Sequence, residues 1–365
     1  MIETKERAIK WPEIFSLGAL NVSVVISWIA YHEYQPHLLE KFEFNQLSDF
    51  LILAKAFILV VTPPLAGLLA DYLLKRTGKY FTIFSVGIGV TAMIFMIVAS
   101  IIGAGPLGAM KPFLPYMIVL WLISMNLFIS PAFSMIEAFA PAQKLPIVMG
   151  FLILVTELVY ALEPLIVGLV QFFGDTLTFV VGGILISVSG YFFHKVSSDE
   201  VVTRREELKT EKKAYPSVQS FFVIMLLGLV LGIAKAFLVE FIPSDFLIKF
   251  PEMGETSHYI SFCLLGLSAF LSFGLSKYLT QFNPMKVLYI SVAVIAVGCG
   301  MLLFAPNFIL AITGGVITAF GFSILNVTGL PFAISMLSVR HITYGVGAFI
   351  GASEIFTGWF EYVLR

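Results

Sequence analysis

Eleven apolar runs, each long enough to cross the hydrocarbon core of a bilayer as a helix, divide this chain from one end to the other. A crossing helix needs about 20 apolar residues, and inside lipid every backbone N–H and C=O must be paired within the protein. The runs fall at 14–31, 50–70, 80–102, 113–134, 145–170, 177–193, 218–241, 259–275, 287–304, 308–337 and 344–364. Charged residues make up 12% of the chain, against about 25% in soluble domains, so an all-α membrane protein is the expected class. The charged start before the first run lacks a small-residue cleavage site behind it and reads as the cytoplasmic lead-in to a first span.

Several function classes drop out. The net charge of -1 provides no field for nucleic acid. Cys263 and Cys299 lie inside apolar runs without a CxxC or histidine-rich neighbourhood, so they read as small hydrophobes, with no metal and no cofactor expected. No HExxH or GxSxG pattern occurs, which argues against an enzyme, and no charge ring or filter-like loop marks a channel. The one long polar stretch carries Arg204, Arg205, Glu206, Glu207, Lys209, Glu211, Lys212 and Lys213. It reads as a solvated linker, 197–217, between an N-terminal bundle, 1–196, and a C-terminal bundle, 218–365. An N-terminus inside the cell places 16 of the 22 Lys and Arg on the cytoplasmic side, the asymmetry expected of a multi-pass protein of the cell membrane.

The two halves repeat each other. Gly150 precedes Thr156-Glu157 in run 5 as Gly347 precedes Ser353-Glu354 in run 11. Pro131 and Ser134-Met135 close run 4 as Pro331 and Ser335-Met336 close run 10, and Gly67 stands twelve residues before Lys79 as Gly274 does before Lys286. Repeat-built transporters bind at the interface of their repeats. Run 6 lacks a counterpart after run 11. Either the chain continues past Arg365 or it works with eleven spans and its C-terminus outside, and continuation is the expectation.

Two halves joined by a charged linker, with Gly67-Leu-Leu-Ala-Asp71-Tyr-Leu-Leu-Lys75-Arg76-Thr-Gly78-Lys79 after run 2, resemble the major facilitator superfamily and its loop signature. The spacing from Asp71 to Gly78 is similar to that of glycoside-pentoside-hexuronide and sucrose-type carriers. Further likeness comes from Ser130 to Phe133, from Asn326 to Phe332 and from Gly347 to Glu354. The resemblance implies a two-bundle fold with helices 1, 4, 7 and 10 lining a cavity and 2, 5, 8 and 11 flanking it. Melibiose-like relatives hold sodium with acids in helices 2 and 4, whereas here helix 2 carries Lys55 and helix 4 no charge, so a proton is the expected coupling ion.

The resemblance implies a secondary active transporter, expected as a monomer, that moves a small polar solute, a sugar or glycoside, by alternating access. A lipid or lysolipid carrier of the same fold and a non-transporting sensor or scaffold are the alternatives. Cavity candidates are Asn21, Trp28, Tyr31 and His32 on helix 1, Trp121 and Asn126 on helix 4, Lys235 on helix 7 and Asn326 and Thr328 on helix 10. Amides bond hydroxyls and indoles cover the apolar face of a sugar ring, although Asn126 and Asn326 equally fit bonds between helices. Lys235 either meets an anionic solute or pairs with Glu33 or Glu240. Carboxylates at mid-bilayer need a partner or a function, so Glu157 and Glu354 either carry the coupled proton or pair with a lysine, Lys55 reaching Glu354 or Glu361. The gate is expected at Gly67, Asp71, Arg76, Gly78 and Lys79, with Asp71 at the positive start of helix 11 and Arg76 or Lys79 meeting acids or carbonyls opposite. Gly228/Gly232 and Gly347/Gly351, each four residues apart, permit close helix approach.

Overall fold

The computed structural model describes residues 8–105, 108–210, 217–253 and 256–363. The first half holds α1 (Trp11–Lys41), α2 (Ser48–Thr77), α3 (Phe81–Ala104) and α4 (Leu114–Leu127), which runs on through Ile129–Ser134 and Ile136–Phe139. Next come α5 (Leu145–Ala161) and, past a break at Leu162, the helical tract Glu163–Thr210. That tract is two helices, because Gly174 has φ 74° and ψ 171°. The Thr178 hydroxyl donates to the Val170 carbonyl at 3.2 Å. Eight residues along a straight helix span about 12 Å, so the chain turns back at Gly174. Residues 163–173 therefore complete α5, and residues 175–210 form α6. The corner is tied to α1 by Tyr34, whose hydroxyl donates to the Val170 carbonyl at 2.8 Å, and by Lys41 against Asp175 at 3.1 Å.

The second half holds α7 (Val218–Ala236), extended by a π-turn at Phe237–Phe241 and by Ile242–Lys249, then α8 (Thr256–Leu279), α9 (Pro284–Leu303) and α10 (Phe308–Ser335). The eleventh span, α11, crosses in two pieces, Ile342–Ser353 and Ile355–Val363, divided at Glu354. Among the described residues ten helices are long and apolar enough to cross a membrane by themselves, and the divided α11 brings the spans to the expected eleven.

Helix starts are set locally. Ser217, Asn283 and Asn307 cap α7, α9 and α10 by accepting from Ser220, Met285 and Leu310 N–H. Gly78 ends α2 in the left-handed conformation, φ 71°. The prolines inside α2 remove N–H donors, and Ser130 of α4 donates to the Pro63 carbonyl at 2.8 Å, which secures the backbone there. Large apolar side chains such as Phe57, Phe172, Phe222 and Phe304 point outward on the spans, the arrangement suited to lipid.

Two boundaries differ most from the sequence reading. α1 continues ten residues past 31, because Glu33, His37 and Lys41 sit at its wet end, where polarity does not stop a helix. The expected linker starts as the last turns of α6, through Thr210, while 211–216 lie outside the described residues. Arg204, read as a solvated linker charge, is 1% exposed. Lys10 pairs with Glu200 and holds this stretch against the start of α1.

Candidate functional site

The bundles α1–α6 and α7–α11 meet along two seams, α2 against α11 and α5 against α8. Glycine sets the approach in the first. A Cβ on Gly67 would lie 2.3 Å from the Thr343 carbonyl oxygen, one on Gly347 2.3 Å from that of Pro63, and one on Gly351 2.3 Å from that of Val60. In the second seam a Cβ on Gly150 would lie 2.4 Å from Ser276 Cβ. Gly150 and Gly347, matched in the sequence repeat, thus each press on a helix of the opposite half. On its other side α11 meets α7 equally closely, Gly228 facing the Phe349 carbonyl and Gly232 that of Ser353.

At the end of the molecule that carries the α2–α3 turn and its lysines, called the basic end below, one polar network spans the halves. Asp71 Oδ2 accepts from the Tyr344 N–H in the first turn of α11 at 2.9 Å. The Tyr80 hydroxyl donates to the Pro131 carbonyl at 2.9 Å, touches the Ser134 hydroxyl and lies 3.1 Å from Thr343 Oγ1. Into this group reaches Arg204 from the end of α6, donating to Tyr80 and Thr343 hydroxyls at 3.3 Å each, with its guanidinium 4.9 Å from the centre of the Tyr80 ring. Asp71 and Glu137 are near enough for their charges to act on it. The sequence reading assigned this cationic role to Arg76 or Lys79, but both are exposed, and Arg76 turns to Tyr72. Five helical positions after Asp71 lie about 140° round the helix, so Arg76 cannot share its face. A signal for Arg204 was present: buried Ser197, Val201, Arg204 and Leu208 recur at helical spacing.

Midway along the seams lies a charged cluster. Lys235 Nζ is 3.0 Å from Glu354 Oε1, with side chains 30% and 17% exposed. The lysine therefore pairs within its own bundle, not with Glu33 or Glu240, and the ammonium on Glu354 is that of Lys235, not Lys55; the Glu361 side chain lies outside the described residues. Glu157 is buried and feels Lys235 through space, as does Tyr160. His32, exposed on α1, lies within electrostatic reach of both Lys55 and Lys235. Asn21 donates to Thr156 of α5, the residue before Glu157. His32 was among the expected cavity residues, whereas Thr156 and Tyr160 were absent from the sequence-derived site, because a single polar residue in an apolar run does not reveal which way it faces.

Other expected cavity residues lie elsewhere. Trp28, Tyr31 and Trp121 pack on one another inside the first bundle, Tyr31 stacked on Trp121 at 4.8 Å and Trp28 edge-on at 5.2 Å. Asn126 is buried and donates to its own helix at Leu122, 2.8 Å, and Asn326 is half-buried. Aromatic bulk drew these tryptophans into a bundle core, where their burial stabilises packing.

Removing Lys235 leaves two carboxylates facing low-dielectric surroundings without their cation. Lys235→Met is expected to cost about 2 kcal/mol, less than the 3–5 of a fully buried pair because this one is partly wet. A double-mutant cycle with Glu354→Gln, read by thermal unfolding, checks it; additive losses would show that the pair carries no coupling.

Two pseudo-repeated helical bundles in contact along the α2/α11 and α5/α8 seams define the major facilitator fold. Two solved structures share it. The human organic anion transporter TETRAN superposes with a TM-score of 0.75 over 98% of this chain and 93% of that one at 8% identity. The proton:xylose symporter XylE, bound to 6-bromo-6-deoxy-D-glucose, gives 0.63 over 97% and 88% at 14% identity. No protein-family model and no curated protein matches the sequence.

Proposed function

We propose that this chain is a proton-coupled secondary transporter that carries a small polar solute, of the sugar or glycoside class, by alternating access, with the basic end toward the cytoplasm. The observation that carries this reading is the placement of Lys235, Glu354 and Glu157 midway along seams whose equivalent glycines, Gly150 and Gly347, bring the halves into backbone contact. Ionisable groups at that depth mark solute and ion pathways, and matched seams allow two bundles to rock about them. One ammonium faces two carboxylates, and a proton on Glu157 balances the excess negative charge. With Asp71, Tyr80, Thr343 and Arg204 joined, the structure corresponds to a state closed at the basic end. A second reading, a charged organic solute, is favoured by the exposed part of Lys235, which offers an ammonium to a carboxylate that displaces Glu354.

Purified protein in proteoliposomes provides the test. A pH gradient is expected to drive sugar uptake, and Glu157→Gln to abolish that drive while solute exchange across the membrane persists. Uptake of organic carboxylates but not sugars would select the second reading. Unchanged pH-driven uptake in Glu157→Gln would remove Glu157 from the coupling.

A further inference from the structure

The first bundle encloses a cavity of about 210 Å³ that belongs to neither seam. Its walls come from α1, α3, α4, α6 and the outer piece of α5, all in one half, so it is separate from the charged cluster. Phe95, Met117 and Trp121 form its deep wall. Leu169, Phe173 and Leu185 form its mouth on either side of the Gly174 corner, and all three are exposed. The mouth is continuous with Leu165, Phe172 and Ile184, an exposed apolar strip on the spanning segments of the kind suited to lipid.

No charged side chain lines the cavity; Gln35, Tyr31 and Trp121 are its other polar-bearing lining residues, while the Ser27 hydroxyl bonds the Ser23 carbonyl and that of Thr178 the Val170 carbonyl. An apolar cavity of about 150 Å³ accepts benzene or xenon, and this larger one is walled almost wholly by apolar atoms. Left empty, its lining forfeits dispersion contacts on one side. From the Gly174 corner, where Lys41 meets Asp175, the mouth runs down the outward apolar side of α5 and α6, a surface suited to acyl chains. We infer that the cavity is a binding site for the end of one lipid acyl chain, entering between α6 and the outer piece of α5 and resting on Trp121 and Phe95.

The inference does not rest on the transport reading. Its test places the protein in nanodiscs of phosphatidylcholine with a diazirine at the tip of one acyl chain, followed by irradiation and mass-spectrometric mapping. Labelling is expected at the buried Trp121 and Phe95, besides the exposed Phe192 and Tyr289. In the cavity-filling variant Ala30→Leu/Gly182→Leu the Trp121 and Phe95 labels are expected to vanish, with Phe192 and Tyr289 labelled as before. Label confined to Phe192 and Tyr289 in the native protein overturns the inference, as does inner label that survives filling. If the filled variant does not fold, the native map alone decides, since inner label supports the site and its absence refutes it.

Discussion

Replacing Arg204 with methionine is expected to open the basic end. The guanidinium is 1% exposed, bonded to Tyr80 in its own bundle and Thr343 in the other, with Asp71 and Glu137 in electrostatic reach. Without it, the buried Asp71 carboxylate keeps the Tyr344 N–H and loses its neighbouring buried cation. Removing one member of a buried charged group costs about 3–5 kcal/mol, much of it the penalty on the charge left behind. At about 1.4 kcal/mol per decade, that displaces a two-state equilibrium by about two to four powers of ten. Spin labels at the exposed positions Lys79 and Lys277, one per bundle, should report a longer distance, and thermal unfolding should start lower. Arg204→Lys keeps the charge but loses the fork, and should fall between. Arg76→Met is the control, because its side chain lies outside the network. Label distances and melting unchanged by Arg204→Met would dismiss the network as a lock.

The second large effect concerns two glycines that the sequence repeat makes equivalent. Gly67 presses on α11, where a Cβ would sit 2.3 Å from one backbone oxygen and 2.8 Å from the Tyr344 Cα, while Gly274 has nothing within 4 Å. Backbone cannot step aside as a flexible side chain does, so Gly67→Ala should cost about 1–3 kcal/mol or more through overpacking. Gly274→Ala should leave stability unchanged or raise it by up to about 1 kcal/mol, the helix preference of alanine over glycine. Melting curves of the two variants in the same detergent decide the matter. Equal shifts would mean that the closeness of α2 and α11 plays no part in stability.

The spans were legible because hydrocarbon permits few structures, and run length alone counts them. The turn between α5 and α6 also showed, since Gly174-Asp175 interrupts two apolar runs. Facing was much less legible. Asp71 sits at the first turn of α11, where its motif points, yet the cation beside it comes from a segment whose charge density suggested solvent. Charge density averages over a helix, whereas Arg204 shares one buried stripe with Ser197, Val201 and Leu208. Lys235 was misplaced for a related reason. The π-turn just after it, at Phe237–Phe241, follows a stretch in which Gly232 brings α7 against α11, and Glu354 then becomes the nearest acid. Trp28 and Trp121 show the converse limit, because hydropathy does not separate the middle of one bundle from the space between two.

On the face of α11 toward α2, Gly347 and Gly351 lie directly against the carbonyls of Pro63 and Val60. Interlocked leucines would have to climb out of one another's sockets whenever the halves shift, each step raising a barrier. Two bare backbones offer a smooth track instead, along which one half can glide without unmeshing teeth. In the proposed cycle the polar bonds at its end would act as a removable stop.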